Sequence, residues 1–343
     1  MKLKEYAKKN QYTVMLLALM AILLLFFTVT KGSTLWMVST WKSMMTQFPV
    51  YGVMTIGVMF CFISGHIDMS FVALGDFACI IGMSYMVNHA TESMGSGQIL
   101  GIVLVGVLIV LLIGALGGLI NGLLITKLNI PPVMATIAMQ LVWTGLSIAL
   151  TEGNTVTGIP TMFTSTLNKV YFGFLPMSVI IFAIVFIIAA FLLKYTTYGE
   201  KLYMIGTNKK ASHFSAINTD RMIIGTFILC DVICCIGALL MVATMSSAKA
   251  DYGTSYVMRC ILILVLAGVL PDGGMGKILN VLLAIVSIQI IATGVNMFSS
   301  LNTYYANMIW GGLLIIVLIL STKLGGNGFV RKKKPKIEKK AAA

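Results

Sequence analysis

The 343 residues are 58% hydrophobic and only 10% charged, with 24 Lys/Arg against 11 Asp/Glu and a net charge of +13. A mean hydropathy of +0.97 excludes a soluble globular domain and leaves an integral membrane protein. The basic excess sits in short segments beside apolar runs, the pattern that orients a membrane chain, and this speaks against nucleic acid as a partner.

The chain opens on MKLKEYAKKNQYT, a basic stretch that enters the first apolar run without a small-residue cleavage site and so predicts an uncleaved first span. Roughly 20 apolar residues cross a bilayer as helix. Ten runs fit: 12–29, 48–63, 71–87, 100–125, 133–150, 175–193, 222–244, 257–270, 278–297 and 304–320. With the N-terminus inside, 19 of the 24 Lys/Arg fall on the cytoplasmic side, leaving Lys31, Lys42, Lys169, Lys249 and Arg259 outside or near the outer ends. The prediction is an all-α membrane protein of about ten transmembrane helices with both termini cytoplasmic. Residues 1–11 form the N-terminal segment, 12–321 a single transmembrane domain, and 322–343 a basic tail that is solvated or lies on the lipid surface.

Two places interrupt the long spans. The second and third runs are separated only by Ser64-Gly65-His66-Ile67-Asp68-Met69-Ser70, and the eighth ends in Gly268-Val-Leu-Pro271-Asp272-Gly273-Gly274-Met275-Gly276. Gly/Pro-interrupted segments at corresponding positions in two halves point to a transport pathway, because broken helices expose backbone groups that water or substrate must satisfy. An echo of Gly118-Leu-Ile-Asn121 in Gly276-Lys-Ile-Leu-Asn280 agrees with two pseudo-repeated halves carrying interrupted central helices. Gly114, Gly118 and Gly122 share one face of the fourth helix and predict close helix packing. Pro131-Pro132 suits the start of the fifth helix, where a missing N–H costs little. The longest polar interval, 195–221, carries Lys201, Lys209, Lys210 and Arg221, with Lys194 just before it. It predicts a short amphipathic helix against the inner membrane surface, where a soluble partner can grip.

No enzyme motif is present. Gly276-Lys277 lacks the earlier glycine of a phosphate loop, and His66, His89 and His213 form no metal-ligand spacing. The six cysteines fall in apolar runs and read as small buried hydrophobes. An acid at mid-bilayer costs roughly 2.5–3.5 kcal/mol on insertion scales, so Asp68, Asp76 and Asp231 are functional candidates, with helix pairing as the competing role for the last two. Ser70, Asn121, Asn280, Gln289 and Asn296 add neutral hydrogen-bonding groups, and Asp68, Ser70, Asn121, Asn280 and Asn296 are the predicted substrate path. Three scattered aspartates make a poor ion relay, which favours an energy source outside the chain over an ion-gradient-driven secondary carrier. The shortage of basic groups at depth favours a neutral polar solute. A non-transporting scaffold or channel is the remaining reading.

Four stretches, in order, resemble the permease subunits of ribose/xylose/galactose-type bacterial ATP-binding-cassette importers. They are Gly65-His66-Ile67-Asp68-Met69-Ser70; Gly118-Leu-Ile-Asn121-Gly122 with Lys127, Pro131-Pro132 and Ala135-Thr136; Thr197-Tyr-Gly199 with Tyr203, Gly206, Asn208, Ala211 and Ser215-Ala216-Ile217; and Gly268 with Gly273-Gly274-Met-Gly276. The resemblance implies a multi-pass protein of the bacterial cytoplasmic membrane that works with three kinds of partner. These are a cytoplasmic ATPase with two nucleotide-binding halves, which carries the ATP and Mg, an extracytoplasmic solute-binding protein, and a second permease, either a copy of this chain or a distinct one. The chain itself then binds no cofactor. It further implies that Gly199, Tyr203, Gly206, Asn208, Ala211, Ser215 and Ile217 couple the chain to the ATPase. The sequence departs from the family pattern at Phe71-Val72, at Glu200 where Arg is usual, at Lys209-Lys210, and at Ala216 where Gly is usual. Nucleoside and autoinducer-furanone permeases are related, so the solute within this class stays open.

Overall fold

The computed structural model describes residues 11–91, 94–171 and 173–298, together with Met308, Gly311, Gly312 and Ile315. The first ten residues, the basic tail and most of the tenth predicted run, 304–320, lie outside the described residues, and with them the predicted sidedness of both termini. The four described positions beyond 298 are helical.

Helices dominate. They are α1 (Gln11–Leu35), α2 (Val38–Ile63), α3 (Phe71–His89), α4 (Ser96–Thr126), α5 (Pro132–Thr151), α6 (Thr161–Leu167), α7 (Met177–Tyr195), α8 (Thr197–Thr207), α9 (Lys209–Phe214), α10 (Thr219–Met245), α11 (Thr254–Leu266) and α12 (Ile278–Asn296). Among the described residues eight of these are long and apolar enough to cross a membrane, and α11 is a shorter apolar helix. The nine match the first nine predicted runs. The second span is longer than its apolar run because α2 begins at Val38 and passes through Pro49, whose lost hydrogen bond it absorbs in its interior. Helix α6 and a two-stranded hairpin, β1 (Val170–Tyr171) with β2 (Leu175–Pro176), fill the connection before α7 and were not legible in the hydropathy.

The bundle is organised on α2 and α10. Helix α2 is buried continuously from Pro49 to Ile63, and α10 packs against both α2 and α4. Small residues set these distances. A Cβ at Gly118 would stand 2.5 Å from the Phe227 carbonyl and one at Gly122 would stand 2.8 Å from Ile224 Cα, so the predicted glycine face of α4 is the seam to α10. On the other side of α10, a Cβ at Gly57 would stand 2.8 Å from the Cys230 carbonyl. Helices α1, α4 and α5 instead expose Leu25, Leu104 and Leu141 outward, as suits lipid-facing spans. Pro131 and Pro132 open α5 as the sequence predicts.

Candidate coupling and translocation site

Both breaks begin the same way. Ser64 caps α2, Gly65 takes a left-handed φ of 78°, and the N–H groups of Gly65 and His66 donate back to Phe62 and Cys61 at 3.0 Å each. At the end of α11, Gly268 has φ of 76°, and the N–H groups of Gly268 and Val269 donate to Val265 and Leu264 at 3.0 and 2.9 Å. This paired bond pattern around a left-handed glycine is how a helix satisfies its last carbonyls and stops. It supports the expectation that the two breaks correspond.

Between them sits the central polar segment, folded as two short helices rather than the one expected. Thr196 caps α8 by accepting from the Gly199 N–H at 3.4 Å, Asn208 caps α9 by accepting from the Ala211 N–H at 3.1 Å, and Asn218 caps α10 by accepting from the Arg221 N–H at 3.1 Å. Ser215 and Ile217 close α9 by donating to Ala211 and Ser212 at 3.1 and 3.2 Å. The turn then passes through Ala216 at φ 60°, a left-handed conformation that favours glycine.

The segment meets both breaks at glycines. The Gly274 N–H donates to the Ile63 carbonyl at 2.8 Å, and Tyr203 Oη donates to the Gly276 carbonyl at 2.8 Å. A Cβ on Gly273 would fall 2.7 Å from Gly65 Cα and 2.9 Å from Gly206 Cα, and one on Gly206 would strike the Ile63 carbonyl and the Gly274 nitrogen. Only side-chain-free residues permit this three-way approach. Tyr198 adds a hydrogen bond at 2.8 Å to Thr226 on α10. On the outer side of the segment, Tyr203, Met204, Thr207, Asn208, Ala211, Ser212 and Ser215 line a cleft of about 360 Å³. Phe214, at the end of α9, is 90% exposed, an aromatic the motif did not single out. Gly199, by contrast, is buried against the Leu192 and Leu193 carbonyls.

The path residues divide. Asp68, Ser70 and Asn121 come together: Asn121 Nδ2 donates to Ser70 Oγ at 2.8 Å, and Ser70 Oγ and N–H donate to Asp68 Oδ1 at 2.8 and 2.7 Å. Asp231 joins them, accepting from Asn121 Nδ2 at 3.4 Å. All four side chains are fully buried, and Asp68 Oδ2, Asn121 Oδ1 and Asp231 Oδ1 have no hydrogen-bond partner among the described residues. Cys230 stands beside them, and its Sγ lies within 4.8 Å of carboxylate oxygens of both Asp68 and Asp231. The six cysteines are buried as expected, and at Cys230 two carboxylates and a thiol make a donor set with the composition for a cation or a shared proton. Thr136, at the start of α5, donates to the Ile67 carbonyl at 3.3 Å and ties the break to that helix. His66 faces Phe227, and burial, then the nearby Lys209 charge, push its imidazole down to about 4.

Asn280 and Asn296 are elsewhere. Asn280 accepts from Thr13 Oγ1 at 2.7 Å and donates to the Ala267 carbonyl at 3.4 Å, holding α12 to α1 and to the end of α11, while Asn296 is exposed at the end of α12. Neither reaches the Asp68 cluster.

A second polar group was missed. Arg259, predicted near an outer end, lies inside the bundle because α11 starts deep: the Gly253 N–H just before it reaches Asp76 Oδ2 on α3 at 3.4 Å. The Arg259 guanidinium carbon stands 5.2 Å from the ring centre of Tyr51, midway along α2, and 5.4 Å from that of Tyr256. Tyr51 Oη donates to Gln289 Oε1, and Gln289 Nε2 donates to Thr293 Oγ1 at 3.0 Å and to Gln47 Oε1 at 3.3 Å. Hydropathy counts Tyr51 and Tyr256 as apolar, and only their register against Arg259 reveals the group. Arg259 qualifies the expected shortage of basic groups at depth.

A family model described as "Branched-chain amino acid transport system / permease component" matches residues 40–318. The ribose import permease protein RbsC of Bacillus subtilis (strain 168) is 28% identical, over 82% of this chain and 84% of that protein. RbsC of Escherichia coli (strain K12) is 26% identical over 93% and 95%, and the autoinducer 2 import system permease protein LsrD of Yersinia enterocolitica is 27% identical over 80% and 81%. No solved structure matches.

Proposed function

Because the chain belongs to the branched-chain amino acid transport system permease-component family, we propose that it is the membrane-spanning subunit of an ATP-binding-cassette importer for a monosaccharide. A cytoplasmic ATPase with two nucleotide-binding halves holds the ATP and Mg, an extracytoplasmic solute-binding protein delivers the solute, and a second permease completes the path. The setting is the bacterial cytoplasmic membrane.

The observation that carries this reading is the glycine junction, where the segment 195–221 packs through Gly206 against both breaks, Tyr203 bonds it to the second, and Gly274 bonds the second break to the first. A partner gripping α8 and α9 therefore pulls on the ends of α2 and α11 together. Rigid-body movement at such a contact converts closure of a soluble partner into tilting of spans. Tyr203, Asn208, Ala211 and Ser215 line the face offered to the ATPase, Gly206 transmits to the breaks, and Gly199 and Ile217 set the ends of the segment. Asp68, Ser70 and Asn121 fix the geometry of the first break, and Asn280 ties α12 to α1 and to the end of α11.

The test is uptake of labelled D-ribose by membrane vesicles holding the complete system. Uptake that requires ATP and survives collapse of the ion gradients is expected. Uptake that follows a proton or sodium gradient without ATP would replace this reading by a secondary carrier.

A further inference from the structure

The importer reading leaves open what selects the solute, and the polar group on α2, α11 and α12 answers this. An ionised side chain inside an apolar bundle is costly to bury and is retained where it acts. Arg259 stands beside the rings of Tyr51 and Tyr256, whose centres are 6.3 Å from each other, and the fully buried Tyr51 donates to Gln289, which itself donates to Thr293 and to the exposed Gln47. Arg259 and Tyr256 are half-buried, so the group is accessible from one side of the subunit.

Resting on that reading, we infer that Arg259, with Tyr256 beside it, is the contact that selects the solute during passage, and that it takes a small solute with adjacent oxygen atoms. The planar guanidinium presents N–H groups in a fork that matches paired oxygens. A tyrosine ring offers a flat apolar surface to the C–H face of a sugar ring. Sites built to hydrogen-bond a substrate reject analogues that leave their buried polar groups unmet.

The full chain in native membranes, treated with phenylglyoxal and digested for mass spectrometry, reports occupancy of Arg259 without reference to transport. D-ribose is expected to slow Arg259 modification several-fold while cyclopentanol, a neutral ring with a single oxygen, leaves it unchanged, and Arg259→Gln is expected to lower D-ribose uptake at least tenfold at an equal membrane level of the chain. If Arg259→Gln does not reach the membrane, Arg259→Lys, which keeps the charge and loses the fork, takes its place with the same expectation. Modification rates indifferent to D-ribose, equal slowing by cyclopentanol, or a wild-type uptake rate in the variant that reaches the membrane overturns the inference. Uptake that persists without ATP would instead sink the importer reading, and D-ribose protection of Arg259 would still stand.

Discussion

Gly274 and Ile63, 211 positions apart in the chain, are joined backbone to backbone by a 2.8 Å hydrogen bond at the point where Gly206 crosses them. The bond ties the end of α2 to the turn after α11 where the 195–221 segment packs against both, and the mechanical account follows from it.

Substitution of Gly206 is the direct probe of that anchor. A Cβ there meets the Ile63 carbonyl and the Gly274 nitrogen, which are backbone atoms unable to rotate away. Overpacking of this kind costs roughly 1–3 kcal/mol, enough to separate the surfaces without unfolding a bundle of this size. Gly206→Val is expected to reach the membrane and to lose solute-stimulated ATP hydrolysis. Full stimulation in that variant would show that the junction carries no force.

Phe214 is expected to anchor the ATPase. An aromatic side chain 90% exposed at the end of α9, beside a cleft of about 360 Å³, has the character of an interface hot spot. Phe214→Ala should weaken recovery of the ATPase with the chain by at least tenfold, since hot-spot truncations cost about 2 kcal/mol or more. Retention of the ATPase at wild-type yield would remove Phe214 from the contact.

Ala216 offers a substitution of opposite sign. Its left-handed φ of 60° costs an alanine roughly 1–2 kcal/mol. Glycine removes that strain and adds roughly 0.5–1 kcal/mol of unfolded-chain entropy, so relief wins narrowly. Ala216→Gly should raise the thermal midpoint slightly and Ala216→Val should lower it; a fall with glycine would mean that the turn is not strained.

His66 makes the first break sensitive to acid. Its folded value is about 4 against an ordinary 6.5, so the unfolded chain takes up a proton first as pH falls. The stability it contributes is complete above about pH 6.5 and is lost towards pH 4, with a slope of at most about 1.4 kcal/mol per pH unit. Thermal midpoints read from pH 7.5 to pH 5 should fall less in His66→Gln than in the wild type. Parallel curves would place the acid sensitivity elsewhere.

Asp68→Ala removes the acceptor for both Ser70 donors in a fully buried cluster. Leaving such groups unmet costs about 1–3 kcal/mol locally. We expect normal assembly with loss of uptake, and wild-type uptake would demote Asp68 to a packing residue.

The spans and both breaks were legible because each has a local cause: an apolar run long enough to cross the bilayer, or a glycine at the position where a helix must close. The glycine face of α4 was legible for the same reason, since a four-residue spacing fixes a helix face whatever it packs against. What the one-dimensional pattern could not carry was depth and juxtaposition. Nothing local to Arg259 says that α11 starts inside the bundle, and nothing local to Cys230 places it beside Asp68, seven helices earlier in the described chain. Nor does the sequence show that Asn280 bonds to α1 and to the end of α11 while Asn296 stands exposed where α12 ends.

Coupling through the 195–221 segment is tested most directly by a photo-crosslinking residue placed at Ala211 in the full chain, in native membranes, with Thr166 on α6 as the control position. The account predicts a covalent adduct from Ala211 to a polypeptide bearing nucleotide-binding sequence motifs, absent from Thr166 and diminished in Phe214→Ala. Adducts to lipid alone at Ala211, or the same ATPase captured from Thr166, would contradict it.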